Sequence, residues 1–306
     1  MQKNNIKQIA IIGATASGKS QLAIDIAKEF NSIILSLDSL SVYKEIDIVS
    51  AKPTIEERDG IPHYGVDIIY PDKAFDVAIF IDLYREIYQK AVDECKNLII
   101  VGGSGFYLKS LIDGISPLPN LSSENVEEIT YRMQDIERVH RELYLLDKSY
   151  MLNISTRDRY RTQRALGIYL ASGMTPSEYF KEHRAVSVVN GQLPIYSILT
   201  DRDILRKRIE LRTIKMLEMG LIDEVAYLER RYNRSPNAMK SIGIRETLDY
   251  FDGRLNMKRL KEKIITNTAR LAKRQSSFNR SQFKDVTALE LNLLKSKIID
   301  DLMPYE

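Results

Sequence analysis

Short apolar runs alternate with longer amphipathic stretches along the first hundred residues. The apolar runs predict buried strands at 6–12, 32–37 and 98–101. The amphipathic stretches predict helices at 19–30, 75–95 and 106–112. Strands that alternate with helices are typical of a parallel sheet covered by helices. The chain is therefore expected to have an α/β fold.

The pattern changes in the segment 115–120, where Pro117 and Pro119 interrupt the alternation. From 122 to about 183 the hydrophobic spacing is helical throughout. A returning strand is predicted at 193–200, helices at 201–220, 221–232 and 256–280, and a short last strand at 286–291. We therefore expect a core made of 1–114 and 191–306, with a helical insertion at 115–190.

Composition excludes several classes of protein. With 44% hydrophobic residues and a net charge of +3 over 306 residues, the chain is not of the disordered type. Its longest apolar runs are far shorter than the roughly 20 residues of a membrane span. The N-terminal stretch lacks the apolar core of a signal peptide, and the single cysteine, Cys95, excludes an internal disulfide. These features favour a cytoplasmic, reduced protein.

Charge is distributed unevenly along the chain. Residues 1–100 carry 11 basic and 15 acidic side chains, a balance of −4, so the remaining 206 residues carry +7. Residues 254–284 contain ten basic side chains and one acidic side chain, Glu262. Such a run forms either a solvated helix face or a surface for a polyanion such as nucleic acid.

A glycine-rich segment lies between the first predicted strand and the first predicted helix. Its sequence, GATASGKS at 13–20, matches the nucleotide-binding pattern G-x-x-x-x-G-K-[ST]. Backbone N–H groups of such a loop surround a phosphate at the helix N-terminus, while the lysine reaches its oxygens and the serine hydroxyl ligates Mg²⁺. The expected phosphate ligands are Gly13, Thr15, Ala16, Ser17, Gly18, Lys19 and Ser20, and the metal ligand is Ser20.

The other strand ends differ from those of a hydrolysing ATPase. The strand at 98–101 is followed by Gly102-Gly103-Ser104-Gly105 rather than by a carboxylate. Such a loop indicates either close approach of the backbone to a ligand or a structural turn. A carboxylate, Asp38, follows the strand at 32–37 and should point into the same cleft. It would accept a proton or hydrogen bond from a substrate, or it would cap a helix.

Seven segments resemble one known family. They are DSLSVYKEIDIVSAKPT at 38–54, IPHYGVDI at 61–68, VGGSGFYLKSL at 101–111, RALGIYLASGMTPSEY at 164–179, RTIKMLEMGLIDEV at 212–225, SIGIRETLDY at 241–250 and NTARLAKRQSSFNR at 267–280. In this order they are similar to the tRNA dimethylallyltransferases, also called tRNA isopentenyltransferases. The resemblance covers most of the chain.

The resemblance implies a P-loop NTPase-like core and a prenyltransferase activity. A dimethylallyl group would pass from dimethylallyl diphosphate to N6 of the adenine at position 37 of tRNA, with Mg²⁺ as cofactor. The phosphate loop would hold the prenyl diphosphate rather than ATP. By the family pattern Asp38 deprotonates the amine, and Arg212 acts with Lys19 and Ser20 on the diphosphate.

The resemblance also implies an RNA-binding surface for the anticodon stem-loop. The helical insertion would contact tRNA, and the implied tRNA-binding residues are Asp38, Ser39, Leu40, Ser41, Ser104, Arg161, Arg164, Lys273 and Arg274. Because one stem-loop fits one cleft, we expect a monomer.

Three alternatives stay open at this point. An adenylate isopentenyltransferase would perform the same chemistry on a free nucleotide, but a small acceptor needs neither the insertion nor the basic C-terminal helix. A small-molecule P-loop kinase would use ATP, with Asp38 as base toward a hydroxyl. A non-catalytic RNA-binding protein would leave the phosphate loop unexplained.

Overall fold

Six parallel strands form the centre of the fold. The structure, a computed structural model, describes residues 6–303, so the terminal residues 1–5 and 304–306 of the predicted core lie outside it. The strands are β1 (Gln8–Ile12), β2 (Ser32–Leu37), β3 (His63–Tyr64), β4 (Asn97–Gly102), β5 (Ile195–Leu199) and β6 (Val286–Glu290). Their order in the sheet is β3-β2-β4-β1-β5-β6. The predicted α/β class is confirmed.

The central strands are apolar because both faces of the sheet are covered. All five residues of β1 are buried, and its neighbours are β4, with Ile11 beside Val101, and β5. Helix α1 and the last helix of the chain pack on the same side chains of β1. This packing fixes the carboxyl ends of β1, β2 and β4 next to one another at one edge of the sheet.

Fourteen α-helices and one 3₁₀ turn at Asn237–Lys240 are formed by the described residues. They are α1 (Lys19–Glu29), α2 (Ile55–Arg58), α3 (Val77–Asp93), α4 (Gly105–Asp113), α5 (Ser123–Arg132), α6 (Ile136–Leu146), α7 (Lys148–Met151), α8 (Arg159–Ser172), α9 (Pro176–Glu182), α10 (Arg202–Glu218), α11 (Leu221–Tyr232), α12 (Ile244–Phe251), α13 (Met257–Gln282) and α14 (Leu291–Leu302).

The chain divides into two compact units. One consists of the residues up to Leu111 and from Val189 onward, and the other is Ile112–Val188. Sequence analysis placed the insertion at 115–190. The second unit contains α5 to α9 and has a hydrophobic core of its own, in which Ile129, Leu143 and Leu166 are buried. It is all-helical, as its hydrophobic spacing predicts.

Five elements of the first unit were not predicted, namely β3, α2, the 3₁₀ turn at Asn237–Lys240, α12 and α14. β3 is only two residues long and extends the sheet beside Ile34. α12 buries Ile244 and Leu248, and α14 buries Leu294 and Ile298. Short elements carry little periodic signal, so their positions depend on the tertiary packing. No helix of residues 6–303 has the length and apolar character to cross a membrane.

Candidate active site

The loop between β1 and α1 has the backbone geometry of an anion-binding nest. Gly18 has φ 96° and Ala16 has φ 64°, both in the left-handed region. The Ser17 side chain is buried beneath the loop, and a Cβ added at Gly13 would lie 2.8 Å from its Oγ. Gly13 is therefore required by packing, while Gly18 is required by its conformation.

Lys19 is held against the loop that it follows. Its Nζ donates to the carbonyl oxygen of Ala14 over 3.3 Å. Burial lowers the pKa of Lys19 to about 8; the charge of Asp38 opposes this shift and the charge of Arg212 reinforces it. An ammonium group that is poorly solvated gains more from an arriving anion than an exposed one does. The poorly solvated ammonium group of Lys19 is therefore positioned to bind an anion at this loop.

Arg212, on α10, faces the same loop. Its Nη1 donates to Thr15 Oγ1 over 3.4 Å and its Nη2 to the carbonyl oxygen of Ser50 over 3.3 Å. Burial lowers the pKa of Arg212, with Asp38 opposing the shift. One turn earlier on α10, Arg208 donates to the Ser17 carbonyl oxygen over 3.3 Å. Arg212 is therefore the second cation, after Lys19, that lies beside the phosphate loop and lines the cavity.

Asp38 lies directly after β2 and its carboxylate is fixed by its own turn. Its Oδ1 accepts hydrogen bonds from the backbone N–H of Leu40 at 2.8 Å and of Ser41 at 3.2 Å. Asp38 thus caps a turn rather than a helix, because residues 39–42 form no helix. The turn orients a half-buried carboxylate toward Lys19 and Arg212 in one cavity.

That cavity has a volume of about 600 Å³ and two kinds of wall. Its polar wall contains Thr15, Lys19, Asp38 and Arg212. Its apolar wall consists of Val49, Ile209, Met216, Leu221, Ile242, Ile264, Leu271 and Phe278. Cavities of this size take small organic ligands. The arrangement suits a molecule with an anionic head and a short hydrocarbon tail.

The second glycine loop packs closely against neighbouring elements. A Cβ at Gly102 would collide with the Leu37 backbone, and one at Gly103 would collide with the Gln275 side chain. One at Gly105 would lie 2.5 Å from Asn279 Oδ1. These glycines therefore make room for β2 and for α13, and because Gly103, Ser104 and Gly105 also line the cavity, close approach of a ligand to this loop stays a prediction.

Gln275 joins α13 to the phosphate loop. Its Oε1 accepts a hydrogen bond from the backbone N–H of Thr15 at 2.8 Å, while its amide lies over Gly103. The exposed Arg274 precedes it and also lines the cavity. One turn of α13 therefore lines the cavity and fixes the glycine-rich loop through Thr15.

The predicted site residues fall into five groups. Thr15, Lys19, Asp38, Ser39, Leu40, Ser104, Arg212 and Arg274 line the cavity. Gly13, Ser17 and Ser41 are buried beside it. Ala16 and Gly18 line a separate hollow with Arg208, while Ser20 and Lys273 are exposed on α1 and α13. Arg161 and Arg164 belong to the second unit, on α8.

Several polar residues of the cavity were not singled out from the sequence as site residues. They include Gln275, Thr268 and Ser241. The Ser241 hydroxyl is buried with no hydrogen-bond partner among residues 6–303, although buried polar groups are normally paired. No sequence signal identified it, because the turn before α12 was not predicted. Tyr107, which also lines the cavity, stacks on Phe80, with ring centroids 5.0 Å apart.

A parallel sheet whose first strand leads through GATASGKS into a helix defines a P-loop-type phosphate-binding protein. Residues 41–282 match the family model described as IPP transferase. The chain belongs to the IPP transferase family.

The chain aligns with its relatives over most of their length. The tRNA dimethylallyltransferase of Sulfurovum sp. is 54% identical over 92% of this chain and 93% of its own. That of Sulfurimonas denitrificans is 50% identical over 96% and 99%. The crystal structure of a tRNA isopentenylpyrophosphate transferase from Staphylococcus epidermidis has a TM-score of 0.70 at 30% identity, covering 97% of this chain and 99% of that one. A eukaryotic dimethylallyltransferase acting on tRNA has a TM-score of 0.82 at 25% identity, covering 93% and 74%.

Proposed function

We propose that the protein transfers a dimethylallyl group from dimethylallyl diphosphate to N6 of an adenine at position 37 of tRNA. The observation that carries this proposal is the single cavity that is lined both by two cations and a carboxylate and by a set of apolar side chains. The diphosphate would bind at the cations, the hydrocarbon tail along the apolar wall, and the adenine amine beside Asp38.

Lys19 and Arg212 stabilise the leaving diphosphate. As the allylic C–O bond breaks, negative charge develops on the diphosphate oxygens. Two cations already fixed by hydrogen bonds to Ala14, Thr15 and Ser50 stabilise that charge without reorganising. Burial lowers the pKa of both groups because little water solvates them. Their attraction to the diphosphate is therefore stronger than that of an exposed cation.

Asp38 acts on the acceptor. The adenine amine is a weak nucleophile, so its attack on the allylic carbon benefits from a base that takes its proton as the N–C bond forms. The proton moves to the Asp38 carboxylate, and diphosphate departs with the electrons of the C–O bond. The two backbone donors on Oδ1 hold the carboxylate in place for this transfer.

The residue that would hold a Mg²⁺ ion is Ser20. Its hydroxyl lies exposed in the first turn of α1, beside Lys19. One protein oxygen is sufficient because Mg²⁺ at such sites takes most of its other ligands from substrate phosphates and water. When bound, the ion would neutralise charge on the leaving diphosphate.

The tRNA would contact both units through basic side chains. Lys273 and Arg274 are exposed on α13, and Arg161 is exposed on α8. These cations would bind phosphates of the anticodon stem-loop and orient the extruded base. We further propose that a single copy of the chain acts on one stem-loop, in the cytoplasm where tRNA is processed.

An acceptor comparison tests the function. Purified protein, Mg²⁺ and radiolabelled dimethylallyl diphosphate are incubated with unmodified tRNA, with AMP or without an acceptor. We expect label in tRNA alone. Label in AMP would instead indicate cytokinin-type synthesis, and ATP turnover without any prenyl transfer would indicate a kinase.

A further inference from the structure

The helical unit has a concave surface of its own on one flank of α8. It is a hollow of about 240 Å³ within residues 112–188. Leu118, Leu121 and Ile129 form its apolar wall, and Gln163 and Arg164 lie on its rim with the ring of Tyr160. This hollow is smaller than the cavities that take drug-sized ligands, which begin at about 300 Å³. It suits one flat ring system.

The residues that line the hollow leave apolar surface exposed and one hydrogen-bond donor unpaired within the described part of the chain. Tyr160 is 73% exposed, and Leu118 and Leu121 are 47% and 45% exposed. The Nε of Arg164 is buried without a hydrogen-bond partner in the described part of the chain. Buried donors are normally paired, so this one lacks an acceptor that a ligand can supply.

The charge around the hollow favours an anionic partner. Arg157 is exposed just before α8, and Arg159 and Arg161 are exposed in its first turn, near the hollow in sequence although they do not line it. Asp158 is the acidic residue between these arginines. It caps α8, and its Oδ2 lies 3.5 Å from Arg161 Nε. An arginine cluster with an exposed aromatic ring is the combination with which proteins bind single-stranded nucleic acid.

We propose that this hollow binds one unstacked base of the tRNA substrate. The base lies against the ring of Tyr160 and the leucine wall, Arg164 Nε donates to the base or its phosphate, and the outer arginines contact neighbouring phosphates. RNA loops are commonly read in this way, through bases splayed out onto aromatic side chains. The proposal rests on the proposed function, since it takes tRNA as the partner.

Tyr160 gives the sharpest test, because a matched control exists in the same unit. Tyr131 on α5 is 71% exposed, which is close to the 73% of Tyr160, and it does not line the hollow. The affinity of a fluorescent anticodon stem-loop is measured for the full-length protein and for Tyr160→Ala, Tyr160→Phe and Tyr131→Ala, over a series of salt concentrations. Thermal unfolding of each variant shows that the fold is intact.

Stacking on one base predicts a loss of about ten- to a hundredfold for Tyr160→Ala. Tyr160→Phe should retain the wild-type affinity because it retains the ring, and Tyr131→Ala should change affinity by less than about twofold. The salt dependence of Tyr160→Ala should equal that of the wild type, because no charge is removed. Equal affinities for Tyr160→Ala and Tyr131→Ala, or a loss in Tyr160→Phe, would overturn the proposal.

A second readout separates this inference from the function itself. In steady-state transfer assays, Tyr160→Ala should raise the KM for tRNA more than it lowers kcat, because Tyr160 contacts the RNA and not the reacting atoms. A wild-type protein that transfers no prenyl group to tRNA would remove the proposed function instead. A protein ligand at the hollow would leave all four RNA affinities equal, which is the overturning result.

Discussion

At the scale of single residues, the site is defined by three charges that influence one another. Lys19 and Arg212 are both poorly solvated, and Asp38 favours the charged form of each. A buried charge is stable only beside a counter-charge, so the carboxylate that is proposed to accept the proton also keeps the two cations ionised. Removing one member therefore changes the others.

Asp38→Asn separates the chemistry from binding. The amide keeps the size of the side chain and an oxygen for the N–H groups of Leu40 and Ser41, but it cannot take a proton. We expect the fold and tRNA binding to persist while single-turnover prenyl transfer falls by about 10²–10⁴-fold. A rate near that of the wild type would contradict the role of Asp38 as base.

Lys19 makes diphosphate binding dependent on pH. Its pKa is about 8 in the free protein, and an anion bound beside it raises that pKa. The Lys19 contribution to the affinity for inorganic diphosphate should therefore be lost as pH rises above 8, with proton uptake by Lys19 on binding. Calorimetry in two buffers of different ionisation enthalpy measures that uptake.

Lys19→Met serves as the control for this measurement. Without the ammonium group the variant should bind diphosphate weakly, and the proton uptake near pH 8 should disappear. The same proton uptake in the variant would assign the titration to another group.

At the scale of elements, the site depends on three strand ends and one helix. β1, β2 and β4 end side by side, and α13 lies on the loops that follow β1 and β4 through Gln275. The side-chain oxygen of Gln275 accepts a hydrogen bond from the Thr15 N–H, which is one of the backbone amides of the phosphate loop. α13 therefore fixes the loop from a position that is remote in sequence.

Two neighbouring glycines distinguish this contact from ordinary packing. Gly102→Ala would place Cβ against the Leu37 backbone, which cannot yield, whereas Gly103→Ala would displace only the flexible side chain of Gln275. We expect Gly102→Ala to lower the melting temperature by several degrees, since overpacking commonly costs about 1–3 kcal/mol. Gly103→Ala should melt near the wild type but bind diphosphate less tightly.

Gln275→Ala provides the matched comparison for Gly103→Ala. Both changes free the Thr15 N–H, so both should raise the KM for dimethylallyl diphosphate more than they change kcat. Unchanged KM values in both variants would show that Gln275 is a packing residue only.

The parts of the site that sequence could predict are contiguous in the chain. The phosphate loop was found because its eight residues stand together, and Asp38 because it follows a strand that periodicity reveals. The Gln275 contact could not be found, because 260 residues separate it from Thr15. Ser241 was missed since it precedes α12, a short helix. The neighbours of the second glycine loop could not be predicted either, because Gly102 meets β2 while Gly103 and Gly105 meet α13, and both elements are remote in sequence.

At the scale of the whole molecule, charge is arranged for a polyanionic substrate. The basic C-terminal helix, α13, has 26 residues, and Lys273 and Arg274 are exposed near its cavity end. Each phosphate that such side chains neutralise releases counterions, so RNA affinity falls as salt rises. The proposed contact of tRNA with this end of α13 is therefore measurable as a slope.

Lys273→Ala with Arg274→Ala should weaken tRNA binding and reduce the slope of log affinity against log salt by about one to two. Lys258→Ala with Arg259→Ala removes the same charge from exposed positions of the same helix, about 22 Å away along its axis, beyond the Debye length. We expect a smaller change in that control pair. Equal slopes for the two double variants would show that the contact is not confined to the cavity end.

The central claim is that this cavity attaches a prenyl group to the exocyclic amine of a tRNA adenine. The most direct measurement uses two anticodon stem-loops that differ only in adenine or guanine at position 37. Each is incubated with the protein, Mg²⁺ and dimethylallyl diphosphate, digested to nucleosides and analysed by mass spectrometry. We predict N6-(dimethylallyl)adenosine from the adenine stem-loop alone. A prenylated nucleoside from the guanine stem-loop, or attachment at another atom of adenine, would contradict the account.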